Sequence, residues 1–212
     1  MVRPWLAVLC AFLGIATCRK AAPEPPVHFA REEISMDVRT GTLEVRGKYH
    51  FMCSAKEPLV ASLFYPFPLD STHLYPDSID VRTPNVDRRT PNAGVRMPDS
   101  VVRRSELAVR SFTRQDSSVS FRMQFRPGAE DSFFAYYRQR LKTNSATYIV
   151  TTTRKWKRPI DLAQFRVTVH AGFRDVSLTF KPDSVKKSDS SVSYFLARRR
   201  FYPDKDVIVT WR

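Results

Sequence analysis

From His28 onwards the apolar residues recur at every second position, and that period confines the chain to β structure. In the run Leu43–Cys53, residues Leu43, Val45, Tyr49, Phe51 and Cys53 fall on one face and Glu44, Arg46, Lys48 and His50 on the other. This is the pattern of a strand with one buried face. Ahead of it, Ile34, Met36 and Val38 alternate with Glu33, Ser35, Asp37 and Arg39, and Thr40-Gly41 separates the two runs. An antiparallel hairpin is predicted. The alternation returns at Val119–Phe125, Phe165–Val169, Val176–Phe180, Val192–Leu196 and Val207–Trp211. The stretch Ala129–Leu141 carries Phe133-Phe134-Ala135-Tyr136-Tyr137, an aromatic content that suits a strand better than a helix. The expected fold is all-β, an antiparallel two-sheet sandwich with little or no helix outside the N-terminal leader.

Residues 82–100 interrupt this pattern with Pro84, Pro91 and Pro98, and Arg82-Thr83-Pro84-Asn85 recurs as Arg89-Thr90-Pro91-Asn92. Proline removes a ladder donor and fixes the backbone, so an exposed excursion from the sheet is expected, either a binding loop or a tolerated insertion. A domain boundary here would leave an N-terminal piece of about 55 residues, small for a core without disulfides. One β-sandwich domain over 28–212 is the expectation.

The first 17 residues have the order of a signal peptide: Arg3, then an apolar stretch from Trp5 to Ala16, then small residues. No uncharged run approaches the roughly 20 residues of a membrane-spanning helix, which excludes a polytopic membrane protein. The leader closes on Ile15-Ala16-Thr17-Cys18, which resembles the lipobox of bacterial lipoproteins, with Thr17 where that family uses Gly, Ala or Ser. The resemblance implies lipid attachment at Cys18 and a membrane held through that lipid. Arg19 stands where an inner-membrane lipoprotein commonly carries aspartate, so the outer membrane is implied if the cell has two. Residues 18–27 contain Pro23, Pro25 and Pro26 and suit a semi-stiff tether. Cys10 lies in the leader, which leaves Cys53 alone in the domain unless it pairs with Cys18. A lipid-anchored cell-envelope protein is expected, with a periplasmic or secreted one as the alternative.

Charge is the strongest functional lead. Lys and Arg number 35 against 21 Asp and Glu, a formal net charge of +14. Cleavage before Cys18 would remove only Arg3 among the charged side chains, so the excess belongs to the exported part. Two clusters place cations beside aromatic rings: Arg154, Lys155, Trp156, Lys157 and Arg158, and Arg198, Arg199 and Arg200 ahead of Phe201-Tyr202. Such a combination suits phosphate or carboxylate groups on a partner that also offers a flat or apolar surface. Export disfavours nucleic acid and directs the expectation to an anionic envelope polymer or an envelope protein. A solvated basic surface, with Trp156 as a core plug whose neighbouring cations reach outward, is the alternative.

Catalytic signatures are absent from the sequence: it has no nucleophile elbow, no Gly-rich phosphate loop, no C-x-x-C pair and no HExxH. His28, His50, His73 and His170 lack metal-ligand spacing and read as surface residues, and Cys53 reads as buried and inert. Glu32-Glu33, adjacent on a strand, point to opposite faces and cannot form an acid/base couple. No metal or cofactor is therefore expected, and the protein reads as non-catalytic. The alternatives are an envelope hydrolase or transferase assembled from dispersed residues, and a structural subunit of an envelope complex.

A looser resemblance rests on three features. They are the strand pair through Leu43–Cys53, the corner Leu63-Phe64-Tyr65-Pro66-Phe67-Pro68, and Tyr148-Ile149-Val150-Thr151-Thr152-Thr153 ahead of Trp156 and Pro159-Ile160. In these the chain is similar to uncharacterised extracytoplasmic β-domains of bacteria. That group implies a β-sandwich and no particular activity.

Overall fold

The computed structural model describes residues 25–84, 107–109 and 112–212. The predicted hairpin is present as β1 (Val27–Arg39) and β2 (Thr42–Cys53), turning through Gly41 at φ 67°, a left-handed conformation that favours glycine. Beyond it come β3 (Leu59–Pro66), β4 (Ser78–Pro84), β5 (Leu107–Val109), β6 (Thr113–Arg114), β7 (Ser118–Phe125), β8 (Glu130–Arg140) and β9 (Ser145–Tyr148). After a 3-10 helix (Thr151–Trp156) follow β10 (Ile160–His170), β11 (Ser177–Leu178), β12 (Ser184–Lys187), β13 (Ser191–Phe201) and β14 (Val207–Thr210). The all-β reading agrees with this, and the stretch Ala129–Leu141 is strand, as its aromatic content predicts.

These strands form one large sheet in the order β12-β13-β10-β1-β2-β8-β4-β5 and two small ones, β11-β14-β9 and β3-β7-β6. The inward faces of all three share one apolar core, built from side chains such as Met36, Val45, Phe125, Tyr137, Val167 and Val209. The large sheet is mixed, because β1 pairs with β10 in parallel, Ile34 opposite Phe165 and Val38 opposite Val169. Alternation assigns faces to both strands but carries no information on their relative direction.

A bulge between Phe29 and Arg31 changes the phase of β1. Val27 and Phe29 face inward before it, and Glu32, Ile34, Met36 and Val38 after it. Cys53 is buried and has no disulfide partner among the described residues.

Several expectations change. The run Val176–Phe180 yields only the two-residue β11, and Phe180 leaves the ladder to pack edge-on against Phe201 at 5.7 Å. Of residues 82–100, Arg82, Thr83 and Pro84 belong to β4, with Thr83 buried, and 85–100 lie outside the described residues. His50 and His73, read as surface residues, are buried. His50 is covered on the outer face of β2 by Glu130, at 2.7 Å, and by Arg31 and Glu33. His73 forms a bridge to Leu141 and meets Asp70 at 3.0 Å. Residues 1–24, including Cys18, lie outside the described residues.

Candidate functional site

A cavity of about 510 Å³ opens between the large sheet and the two small ones, within the range that holds small organic ligands. Its floor is Phe29 and Glu32 of β1, Tyr49 and Phe51 of β2 and Phe133 of β8. One wall is the stretch 61–66 of β3, and the other runs from Tyr148 at the end of β9 to Trp156.

That second wall depends on a turn the sequence does not display. Val150, Thr151, Thr152 and Thr153 are all β-branched, yet the strand ends at Tyr148. Asp206 Oδ1 accepts hydrogen bonds from the backbone N–H groups of Val150 and Thr151, both at 2.9 Å, and Thr153 Oγ1 donates to the Val150 carbonyl at 2.7 Å. The two bonds to Asp206 occupy backbone donors at the start of the helix, where such groups are left unpaired. Lys157 then ends the turn at φ 57°. The indole of Trp156 is thereby set 5.5 Å from the Phe51 ring and 6.4 Å from Phe29, half-buried against the core.

Glu32 is the unusual group on the floor. It is 0% exposed, and Tyr148 donates a hydrogen bond to its Oε2 at 3.2 Å. Tyr49 lies between Tyr148, at 3.2 Å, and Tyr65, at 2.8 Å. A hydroxyl has one proton to donate, so the Tyr148 bond to Glu32 orders the whole series: Tyr65 donates to Tyr49, Tyr49 to Tyr148, and Tyr148 to Glu32. Oε1 of Glu32 has no hydrogen-bond partner among the described residues. Burial pushes the Glu32 carboxyl up to about 8, against a smaller opposing effect of the Tyr148 bond. Burial likewise holds Tyr49, Tyr65 and Tyr148 well above the usual phenol range.

Gly47 makes room for this arrangement. It faces the core between Val45 and Tyr49, and a Cβ there would fall 2.2 Å from the Tyr49 hydroxyl. The Tyr49 ring cannot easily yield, because it stacks on Phe133 at 4.5 Å and meets Tyr65 edge-on at 5.6 Å.

The basic clusters bear on this cavity unequally. Lys155 and Trp156 line it, and the Arg154 guanidinium lies 5.1 Å above the ring of Tyr202, which brings the two sequence clusters together. Arg154, Lys155, Lys157, Arg199 and Arg200 are exposed, while Arg158 is half-buried. Arg198 is committed within the fold: its guanidinium donates to both Asp183 oxygens, at 2.8 and 2.9 Å, and to the Lys181 carbonyl at 2.6 Å. Arg200 takes φ 48° where β13 bends toward Phe201.

Glu32 and the tyrosines escape a motif search because they come from four separate strands. The signal was nevertheless present for Glu32, which lies two residues before Ile34 and hence in the phase of the buried face. Among the described residues no group of three or more His, Cys, Asp or Glu side chains is placed to hold a metal ion. A second hollow of about 510 Å³, on the outside of the large sheet, is lined by Glu33, Ser35, Gln164, Arg166, Asp183 and Phe195 among others. Its charged lining residues Glu33, Arg166 and Asp183 are all exposed.

These sheets define a class of all-β sandwich found in solved structures. A candidate nutrient binding protein from Legionella pneumophila aligns with a TM-score of 0.59 at 13% identity, over 89% of this chain and 67% of that one. An M1 zinc metallopeptidase from Deinococcus radiodurans aligns with a TM-score of 0.50 at 12% identity, over 88% of this chain and 43% of that one. The E323A form of that enzyme with a Tyr-Ser-Ala substrate gives 0.51 at 12% identity, over 87% and 42%. The likeness is one of fold, and the chain spans less than half of the metallopeptidase. Residues 129–210 match the model of a domain of unknown function, DUF4424. No curated protein matches the chain.

Proposed function

We propose that this is a non-catalytic, lipid-anchored protein of the cell envelope that binds an anionic envelope component. Its ligand site is the cavity beside Trp156, and Arg154, Lys155 and Lys157 form a charged rim. One observation carries the reading: two members of the basic cluster, Lys155 and Trp156, are also lining residues of the aromatic cavity. A ligand with an apolar or planar part and a phosphate or carboxylate would fill the cavity and meet the cations in one pose. Phe64, 65% exposed on the β3 side of the same cavity, adds apolar surface suited to a lipid. The nutrient-binding description of the Legionella structure supports a binding role.

Vesicle sedimentation tests the site. Replacing Arg154, Lys155, Lys157 and Arg158 together by Ser is expected to weaken binding to phosphatidylglycerol vesicles about tenfold to a hundredfold and to flatten its salt dependence, since each cation near such a surface contributes up to about 1 kcal/mol. Unchanged affinity would remove the cluster from the site. The anchor is tested by intact mass: the protein from a bacterial membrane fraction is expected to begin at Cys18 and carry acyl chains, both lost in Cys18→Ser. A soluble, unacylated product with one cleavage pattern in both proteins would refute it.

A catalytic reading draws on the same Glu32, whose raised pKa suits a general acid near neutral pH. It predicts that a bound ligand is recovered chemically altered, whereas the binding reading predicts that it is recovered intact.

A further inference from the structure

The cavity's role as a ligand site, on which this inference rests, leaves its buried carboxyl to be explained. An isolated carboxylate away from water is costly, and an apolar side chain of similar volume would serve the core at least as well. Among the described residues, Glu32 makes its hydrogen bond to Tyr148 alone and its Oε1 has no hydrogen-bond partner. The hydroxyl series from Tyr65 through Tyr49 to Tyr148 donates toward Oε2, so the fold supplies donors that would support a negative charge. Among the described residues no cation forms an ion pair with Glu32.

Several aromatic rings line the same cavity as this carboxyl. Phe29 and Phe51 stack at 4.9 Å, Trp156 closes on both, and Tyr49 lies 6.2 Å from Phe29. Ring faces attract cations, most strongly when water is excluded. A carboxyl with a vacant acceptor beside such rings is the chemistry that recognises an organic ammonium. An anionic group is repelled at Oε1 once Glu32 ionises, and is provided for at Lys155 instead.

We propose that the deep end of the cavity binds an ammonium group, with Glu32 as its counter-ion, carried by a zwitterionic ligand whose phosphate or carboxylate meets Lys155. Phosphoethanolamine and phosphocholine have this chemistry, free in solution or as lipid headgroups. Among the described residues, the titratable groups that line the cavity with Glu32 are Tyr49, Tyr65 and Tyr148, all held protonated by burial, and Lys155 on the far wall. Glu32 is therefore the group that changes charge. It holds its proton at neutral pH in the empty site and gives it to solvent as the ammonium arrives, so binding at pH 7 releases about one proton per site.

Calorimetry on the full chain at pH 7, in two buffers of different ionisation enthalpy, tests this with phosphocholine, phosphoethanolamine and inorganic phosphate. The zwitterions are expected to bind at least tenfold more tightly than phosphate, with about one proton released. Glu32→Gln is expected to lose both the preference and the release while keeping phosphate binding. Lys155→Ser is expected to keep the release and weaken phosphate. Vesicles of phosphatidylethanolamine or phosphatidylcholine separate the sources: tighter binding than the free headgroup assigns the lipid, and equal or weaker binding assigns the soluble zwitterion. Phosphate binding as tight as the zwitterions, or zwitterion binding without proton release, overturns the ammonium site and leaves the anion-binding reading standing. Neither measure depends on a variant folding. Failure of every probe, vesicles of phosphatidylglycerol included, overturns both readings.

Discussion

Gly47→Ala is expected to destabilise the protein by about 2–3 kcal/mol, the range for forcing extra volume into a packed core. The added Cβ would sit 2.2 Å from the Tyr49 hydroxyl and 2.5 Å from the ring carbon that bears it. Tyr49 can move only by losing its stack on Phe133 and its hydrogen bonds to Tyr65 and Tyr148. Urea denaturation of the two proteins measures the loss. In a Tyr49→Phe background the same substitution should cost less, because the nearest clashing atom is gone, and the cycle isolates the contact. A loss within 0.5 kcal/mol in the unmodified background would show that the ring is free to shift and that Gly47 does not shape the cavity.

The second large effect is a fall in stability between pH 5 and pH 8 that Glu32→Gln removes. The sign follows from proton binding. In the unfolded chain Glu32 titrates near 4.5, and in the fold its pKa is raised to about 8. Below 4.5 both states hold the proton and Glu32 makes no difference. As the pH rises toward 8 the unfolded chain has released the proton and the fold retains it, so the free energy of unfolding falls with each pH unit. The total is on the order of 4 kcal/mol. Asp37, Asp70 and Asp183 are shifted the other way, held below the usual carboxylate range. Asp37 is held there against the opposing effect of its partial burial by His170 and Arg39 together, Asp70 by hydrogen bonds from Thr72 and His73, and Asp183 by the Ala197 N–H and Arg198. Their stabilisation is complete above about 4 and disappears only in acid, outside the window. Denaturant midpoints at pH 5, 6, 7 and 8 for both proteins decide the matter. Parallel curves would mean that water reaches the carboxyl and that the floor of the cavity is wet.

These effects share a cause that alternation only half discloses. Reading two residues back from Ile34 places Glu32 on the inward face, and reading across Gly47 from Val45 to Tyr49 does the same for the glycine. Placement on a face is a local matter, decided by the pleat of one strand. Whether an inward carboxyl meets a hydroxyl, a cation or a cavity depends on strands far away in the chain. Tyr65 and Tyr148 lie 33 and 116 positions beyond Glu32. The basic cluster around Trp156 was visible because its members are consecutive, but its relation to the cavity was not, since Asp206 ends the strand and turns the indole inward.

What the sequence by itself determined is therefore the β class, the β1–β2 hairpin through Thr40-Gly41, the strand at Ala129–Leu141 and the excess of positive charge. The first three follow from residues adjacent or two apart, the range over which a strand's pleat and a turn's backbone act, and the charge follows from composition alone. Only the tertiary structure decided that β1 runs parallel to β10, that Arg198 is bound to Asp183, and that a carboxyl, three phenols and an indole converge on one cavity. Those relations arise from layers packing on one another, and a period of two specifies a face without naming the partner that will cover it.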